Sequence, residues 1–134
     1  MTHDHSALDI IRGNIKNLLL WLVIVWVFVA LVEEIIFRGF LLTRLIDLFA
    51  IHRFGYALSL SLSSLLFGLS HWYQGKSGVV STSFIGVLLG IILIWNKFNL
   101  WLPILTHGFI DTVGPILIYI NADIKLKSQT QKSI

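Results

Sequence analysis

Apolar and polar positions divide the 134-residue chain into four long apolar stretches joined by short polar connections. The first opens with fifteen uninterrupted apolar residues, Leu18 to Val32. Apolar character resumes after Arg38, so one helical pattern runs from Asn17 to about Ala50. At ~1.5 Å per residue such a helix exceeds the ~30 Å hydrocarbon thickness by a wide margin. It must either project into water past Arg44 or break near Gly39, with its second part lying at the interface. Asp47, His52 and Arg53 then form a polar connection ending at Gly55. Tyr56–Trp72, Val79–Trp95 and Leu100–Ile120 supply the second, third and fourth segments, with turns at Gln74–Gly78 and Asn96–Asn99. The pattern predicts an all-α protein, a polytopic transmembrane helical bundle of about four spans with room for one interfacial helix. Its body is residues 17–120, between a polar tail (1–16) and a basic tail (121–134).

Small and special residues refine these segments. Ser59, Ser63 and Ser70 fall roughly on one helical face, with Ser64 beside it, and Gly86 and Gly90 stand at GxxxG spacing. Both features let membrane helices approach closely. Pro103 suits a first helical turn. Pro115 has no N–H to return to the carbonyl of Asp111, which predicts a kink there and a free acceptor. Trp21, Trp72, Tyr73, Trp95 and Trp101 lie near segment ends, as interfacial anchors do.

Composition agrees with a membrane protein: 56% of residues are hydrophobic, and mean hydropathy is +0.84. The net charge is +3. Basic residues at both ends (Arg12 and Lys16; Lys125, Lys127 and Lys132) fit contact with anionic lipid. No basic patch interleaved with aromatics points to nucleic acid. The absence of cysteine removes disulfides, thiolate metal sites and a cysteine nucleophile. Ala30-Leu31-Val32-Glu33 is a poor signal-peptidase site, so the first apolar run reads as an uncleaved span. His3-Asp4-His5 reads as part of a solvated tail. Four spans put both termini on one side, and their basic content makes that side cytoplasmic. Arg38, Arg44 and Arg53 then fall opposite, which keeps a five-segment alternative open.

Three charges interrupt the first segment: Glu33, Glu34 and Arg38. Each costs roughly 2.5–3.5 kcal/mol near a bilayer centre, against about 0.3–0.6 recovered per apolar residue. Charges that costly face a partner or a wet cavity unless they mark the wet end of the helix, with Arg38 snorkelling to headgroups. Glu34 and Arg38 sit at i and i+4 with the acid N-terminal, the favourable order for a pair on one face. Glu33 lies about 140° round the helix from Arg38, which leaves it as the spare carboxylate. His71 closes the second segment, and His107 and Asp111 stand one turn apart inside the fourth. Ionisable groups inside a membrane tend to find one another, so the three polar sites point to one cavity among packed helices.

At these residues the chain resembles a known family. Glu33-Glu34-x-x-x-Arg38, Phe67-x-x-x-His71 and His107-x-x-x-Asp111 match, in order, the three motifs of the CAAX proteases and bacteriocin-processing enzymes, the CPBP (or Abi) group of intramembrane proteases. The resemblance implies an intramembrane endopeptidase acting on a membrane-associated peptide of CAAX or bacteriocin type. It implies that Glu33 activates water with help from His71, and that His107 and Asp111 complete the site beside Glu34 and Arg38. The family's third motif often ends in asparagine. An ionised Asp111 cannot donate to an oxyanion as an amide does, so it must be protonated, hold the tautomer of His107, or ligate a metal. Glu33, His71, His107 and Asp111 form an acceptable zinc set, although without H-E-x-x-H zinc is not compelled, and a metal-free site is the first expectation. Members usually carry further spans, so the chain reads as a minimal core, a dimer-forming half-scaffold or a truncated product without activity. The expected partners are membrane lipid, a peptide substrate and another copy of the chain; the expected location is a bacterial plasma membrane.

Two other function classes use the same residues. One is a non-catalytic immunity or scaffold protein that keeps the cavity for binding; the other is a small ion or proton conduit. A serine mechanism through Ser70 and His71 is disfavoured, because adjacent helical residues point ~100° apart and no G-x-S-x-G context is present.

Overall fold

A computed structural model describes residues 10–132, with side chains described except at 123 and 125–132. His3-Asp4-His5 lies outside the described residues. Four helices and a short 3₁₀ turn make up the described chain, which contains no strand. They are α1 (Ile15–Leu48), α2 (Gly55–Ser70), α3 (Gly75–Trp95) and α4 (Trp101–Lys132), with the 3₁₀ turn Trp72–Gln74 between α2 and α3. The all-α bundle expected from the apolar pattern is therefore present. Three stretches, Ile15–Leu48, Trp72–Trp95 and Trp101–Ala122, are long and apolar enough to cross a membrane. The fourth helix, α2, has only 16 residues, about 24 Å of rise.

Local chemistry explains the ends. The Asn14 side chain accepts hydrogen bonds from the N–H groups of Lys16 and Asn17, which caps α1. Asn99 Oδ1 accepts from Trp101 N at the start of α4. The α3–α4 turn places Lys97 and Phe98 at positive φ, 53° and 62°. Gly75, at φ 79° with open space around it, turns the chain into α3. The turn expected at Gln74–Gly78 therefore ends early, and α3 starts four residues before the expected Val79.

Helix α1 does not break at Gly39; the continuous-helix alternative is the one adopted. Its hydrogen bonding widens to the i→i+5 pattern over Val25–Ala30 and Ile35–Leu42, on either side of the two glutamates. Such stretches are rare and frequent at functional sites. No separate interfacial helix forms from Phe40–Leu48. Helix α4 likewise runs through Pro115 without interruption and continues to Lys132, so the described part of the basic tail is helical.

Packing follows the small residues. Gly68 of α2 lies so close to α3 that a Cβ there would overlap Ser83 and approach the Val79 carbonyl oxygen to 2.6 Å. A Cβ on Gly86 would stand 3.2 Å from Ser64 Cα, and one on Gly90 would overlap Leu60. Ser59, Ser63 and Ser64 are buried as the stripe predicted. Ser70 is exposed instead, because the helix is ending. The Ser63 hydroxyl donates across to the Phe37 carbonyl of α1 at 3.2 Å. On the other side of the bundle, Trp26 Nε1 donates to Thr112 Oγ1 at 3.1 Å and its ring meets Phe109 edge-on, 5.2 Å between centroids. Gly108 lets α4 lie against that indole, since a Cβ would stand 2.7 Å from the ring.

The α2–α3 contact leaves no room for a methyl group. Gly68→Ala is expected to cost about 1–3 kcal/mol, read as a lowered unfolding midpoint in detergent; an unchanged midpoint would contradict the close approach.

Candidate active site

Three helices and the C-terminal cap of a fourth converge on one polar cluster. Glu34 of α1 is fully buried. Its Oε1 lies 2.8 Å from Arg38 Nη1, the expected i,i+4 pair. This is an ion pair by distance, with Nη1 out of line for a hydrogen bond. The guanidinium also stacks 4.1 Å from the centre of the Phe67 ring, and Nη2 donates to the Gly86 carbonyl at 3.4 Å. Arg38 thus touches α1, α2 and α3. Snorkelling to headgroups is ruled out for it, since it is 1% exposed.

Glu34 has a second partner that the spacing did not reveal. His107 Nδ1 of α4 stands 2.8 Å from the same Oε1. A carboxylate only accepts, so Nδ1 carries the proton and Nε2 turns towards the cavity. Of the three roles open to Asp111, holding the Nδ1–H tautomer of His107 is taken by Glu34. Asp111 Oδ2 instead approaches the cavity-facing Nε2, at 3.3 Å.

His71 is oriented in the same way. It leaves the helix at the α2 C-cap (φ −96°, ψ 22°), and its Nδ1 lies 2.9 Å from the Phe67 carbonyl oxygen and 3.1 Å from Ser70 Oγ. The carbonyl can only accept, so Nδ1 donates and Nε2 is free to act as an acceptor. Ser70 does touch the imidazole, despite the angular argument against it, because His71 has left helical geometry. The Ser70 hydroxyl donates to the Phe67 carbonyl at 2.7 Å and meets the nitrogen turned away from the cavity. Ser70 does not line that cavity.

Glu33 is the carboxylate left over. Its Oε2 is 3.8 Å from His71 Nε2 and 3.9 Å from His107 Nε2. That oxygen is buried and has no hydrogen-bond partner, although the side chain as a whole is 26% exposed. Glu33, His71, His107 and Asp111 line one cavity of about 310 Å3 with Phe67, Val29 and Ile85, and with Tyr73, Gln74, Ser81 and Thr82. The structure therefore brings all six expected residues together: four around the cavity, with Glu34 and Arg38 behind them. Tyr73, Gln74, Ser81 and Thr82 were not anticipated as site residues. Serine and threonine near a helix start look like ordinary packing residues, and only tertiary placement turns these toward a cavity.

The same geometry bears on Glu33, His71, His107 and Asp111 as a zinc set. Tetrahedral zinc with ~2.0–2.1 Å bonds keeps its ligand atoms about 3.3 Å apart, closer than Glu33 stands to either histidine. Among the described residues no group of three or more His, Asp or Glu side chains is spaced to hold a metal ion.

The family model described as type II CAAX prenyl endopeptidase Rce1-like matches residues 15–113, a stretch that contains every residue of this cluster. No curated protein and no solved structure matches the chain. With three helices long and apolar enough to cross a bilayer, the chain is an integral membrane protein, and it belongs to the Rce1-like type II CAAX prenyl endopeptidase family within the CPBP group.

Proposed function

We propose that the protein is an intramembrane endopeptidase in which Glu33 is the general base. The reading is carried by one observation: Glu33 Oε2 is buried, unpartnered and nearly equidistant from two histidine nitrogens, at 3.8 and 3.9 Å. Those gaps are too wide for direct hydrogen bonds and suit a bridging water. Membership of a prenyl endopeptidase family supports the reaction class.

In this mechanism Glu33 takes a proton from the water as its oxygen attacks the carbonyl carbon of the scissile amide. Neutral His71, with Nδ1–H committed to Phe67, accepts the water's other hydrogen at Nε2 and aims its lone pair. The carbonyl oxygen becomes an oxyanion. A donor for it at His107 Nε2 requires the imidazolium form, whose two N–H groups are matched by Glu34 and Asp111. The oxyanion competes with Asp111 for the Nε2 proton. Collapse of the tetrahedral intermediate breaks the C–N bond, and Glu33 returns its proton to the leaving amine. The products are a carboxylic acid and an amine, which exchange a proton to leave as carboxylate and ammonium. Asp111 thus acts through His107 Nε2, which gives it a role without requiring it to be an amide. The substrate is a peptide held at the membrane, of CAAX or bacteriocin type, and the chain works in lipid, in the plasma membrane of a bacterium.

Cleavage of a panel of membrane-associated peptides by purified protein in liposomes tests the assignment. Glu33→Gln should fall by about 10²–10⁴-fold while its unfolding midpoint is kept, and His71→Ala and His107→Ala should be similarly impaired. Wild-type inactivity across the panel, or active variants, would reject the protease. Asp111→Asn should stay within about tenfold of wild type, since its amide both accepts from His107 and adds an oxyanion donor, whereas Asp111→Ala should lose about 10²-fold or more. A chelator should leave the rate unchanged and elemental analysis should find no stoichiometric zinc; loss of activity restored by zinc would replace the metal-free mechanism.

A further inference from the structure

We infer that the α3 wall of the cavity, Thr82 together with Ser81, is the substrate-binding edge of the site: it holds backbone N–H groups of the peptide beside the scissile bond. The inference rests on the protease reading and adds the part of the site that grips the substrate.

Two unlike sets of polar side chains line the cavity. One is the charged cluster of Glu33, His71, His107 and Asp111. The other is built by the first turns of α3, where Ser81 and Thr82 face the same space. Each hydroxyl has a single hydrogen, and each spends it inside its own helix. Ser81 Oγ stands 3.0 Å from both the Ser77 and the Gly78 carbonyl oxygens. Thr82 Oγ1 stands 2.7 Å from the Gly78 carbonyl and 3.3 Å from that of Val79. A carbonyl oxygen cannot donate, so the hydroxyl hydrogens are committed and only their lone pairs remain for a ligand. The charged cluster lining the same cavity adds two more acceptors, Glu33 Oε2, buried and without a partner, and His71 Nε2.

The acceptors of Ser81, Thr82, Glu33 and His71 select the N–H groups of a ligand. Tyr73 and Gln74, joined by a 3.1 Å hydrogen bond, bring the O–H and N–H groups of the lining that suit its carbonyls. A peptide in extended form carries one N–H per residue and needs each of them satisfied once water is displaced. Any peptide entering this space strips water from its amides, and leaving one unsatisfied is costly. Thr82 and Ser81 supply the missing acceptors without adding charge. They also supply no donor that would compete with His107 for the carbonyl oxygen. Thr82 is only partly exposed whereas Ser81 is exposed, so Thr82 is the inner of the two contacts.

The test pairs protein and substrate changes. Thr82→Val keeps the shape of the side chain and removes the acceptor; Thr82→Ser keeps the acceptor. A peptide cleaved by wild type in the liposome panel is compared with analogues singly N-methylated at each residue flanking the scissile bond, the scissile amide itself excepted. Thr82→Val should raise KM about three- to tenfold with kcat little changed, the signature of lost uniform binding, and Thr82→Ser should restore it. One N-methyl position should cost wild type a similar factor and cost Thr82→Val nothing further. Additive losses at every position, or a Thr82→Val enzyme with unaltered KM, overturn the assignment while the protease reading stands. If wild type cleaves no peptide in the panel, the protease reading falls and this assignment falls with it.

Discussion

A fully buried carboxylate shared between two cationic or cation-capable partners holds this structure together. Glu34 receives Arg38 from its own helix and His107 from α4, both at 2.8 Å on the same oxygen. Taking a charge out of water costs several kcal/mol per ion, and removing one member of a buried pair costs about 3–5 kcal/mol. The arrangement is therefore all or nothing: the helices must bring the partners together or strand a charge. Arg38 extends the constraint by stacking on Phe67 and reaching the Gly86 carbonyl. Four helices are thereby tied to one ion pair. Glu33, next in sequence, inherits a fixed position without being consumed by that pair.

The close helix approaches serve the same end. Gly86 has to lack a side chain for its carbonyl to come within reach of Arg38 while Phe67 packs alongside, since a Cβ would stand 3.2 Å from the Phe67 ring. Gly108 plays the matching part on α4, where the Trp26 indole lies against the backbone next to His107. The Trp26–Thr112 hydrogen bond then sets the rotation of α4 just beyond Asp111. In lipid there is little hydrophobic drive between helices, so contacts of this kind and interhelical hydrogen bonds supply the specificity.

The two glutamates divide their work by burial. One carboxylate is spent on structure, and the other keeps an oxygen without a partner in a cavity. A buried unsatisfied acceptor is a cost that a stable protein normally avoids, and its presence between two histidine nitrogens is what marks this packing motif as a candidate site. Both imidazoles have Nδ1 committed to an acceptor behind them, Phe67 in one case and Glu34 in the other. Both therefore present Nε2 to the same point. That shared orientation comes from backbone and side-chain acceptors outside the cavity, as it does for oriented histidines generally.

Much of this was readable before any coordinates. The apolar runs announced the helices, the i,i+4 spacing announced the Glu34–Arg38 pair, and the cost of charge in lipid announced that Glu33, His71, His107 and Asp111 belong together. These are local or compositional facts, and period and polarity carry them. What could not be read was anything requiring two distant segments at known rotation. The continuity of α1 through Gly39 and the early start of α3 depended on packing against neighbours. The capture of His107 Nδ1 by Glu34, with Asp111 left to Nε2, joins residues 73 positions apart. Ser81 and Thr82 look like filler in sequence, because a hydroxyl's meaning depends on which space it faces. Helices, candidate charges and the spare carboxylate Glu33 followed from the chain's own chemistry; which histidine nitrogens face that carboxylate, and which hydroxyls share its cavity, were decided only when the helices packed.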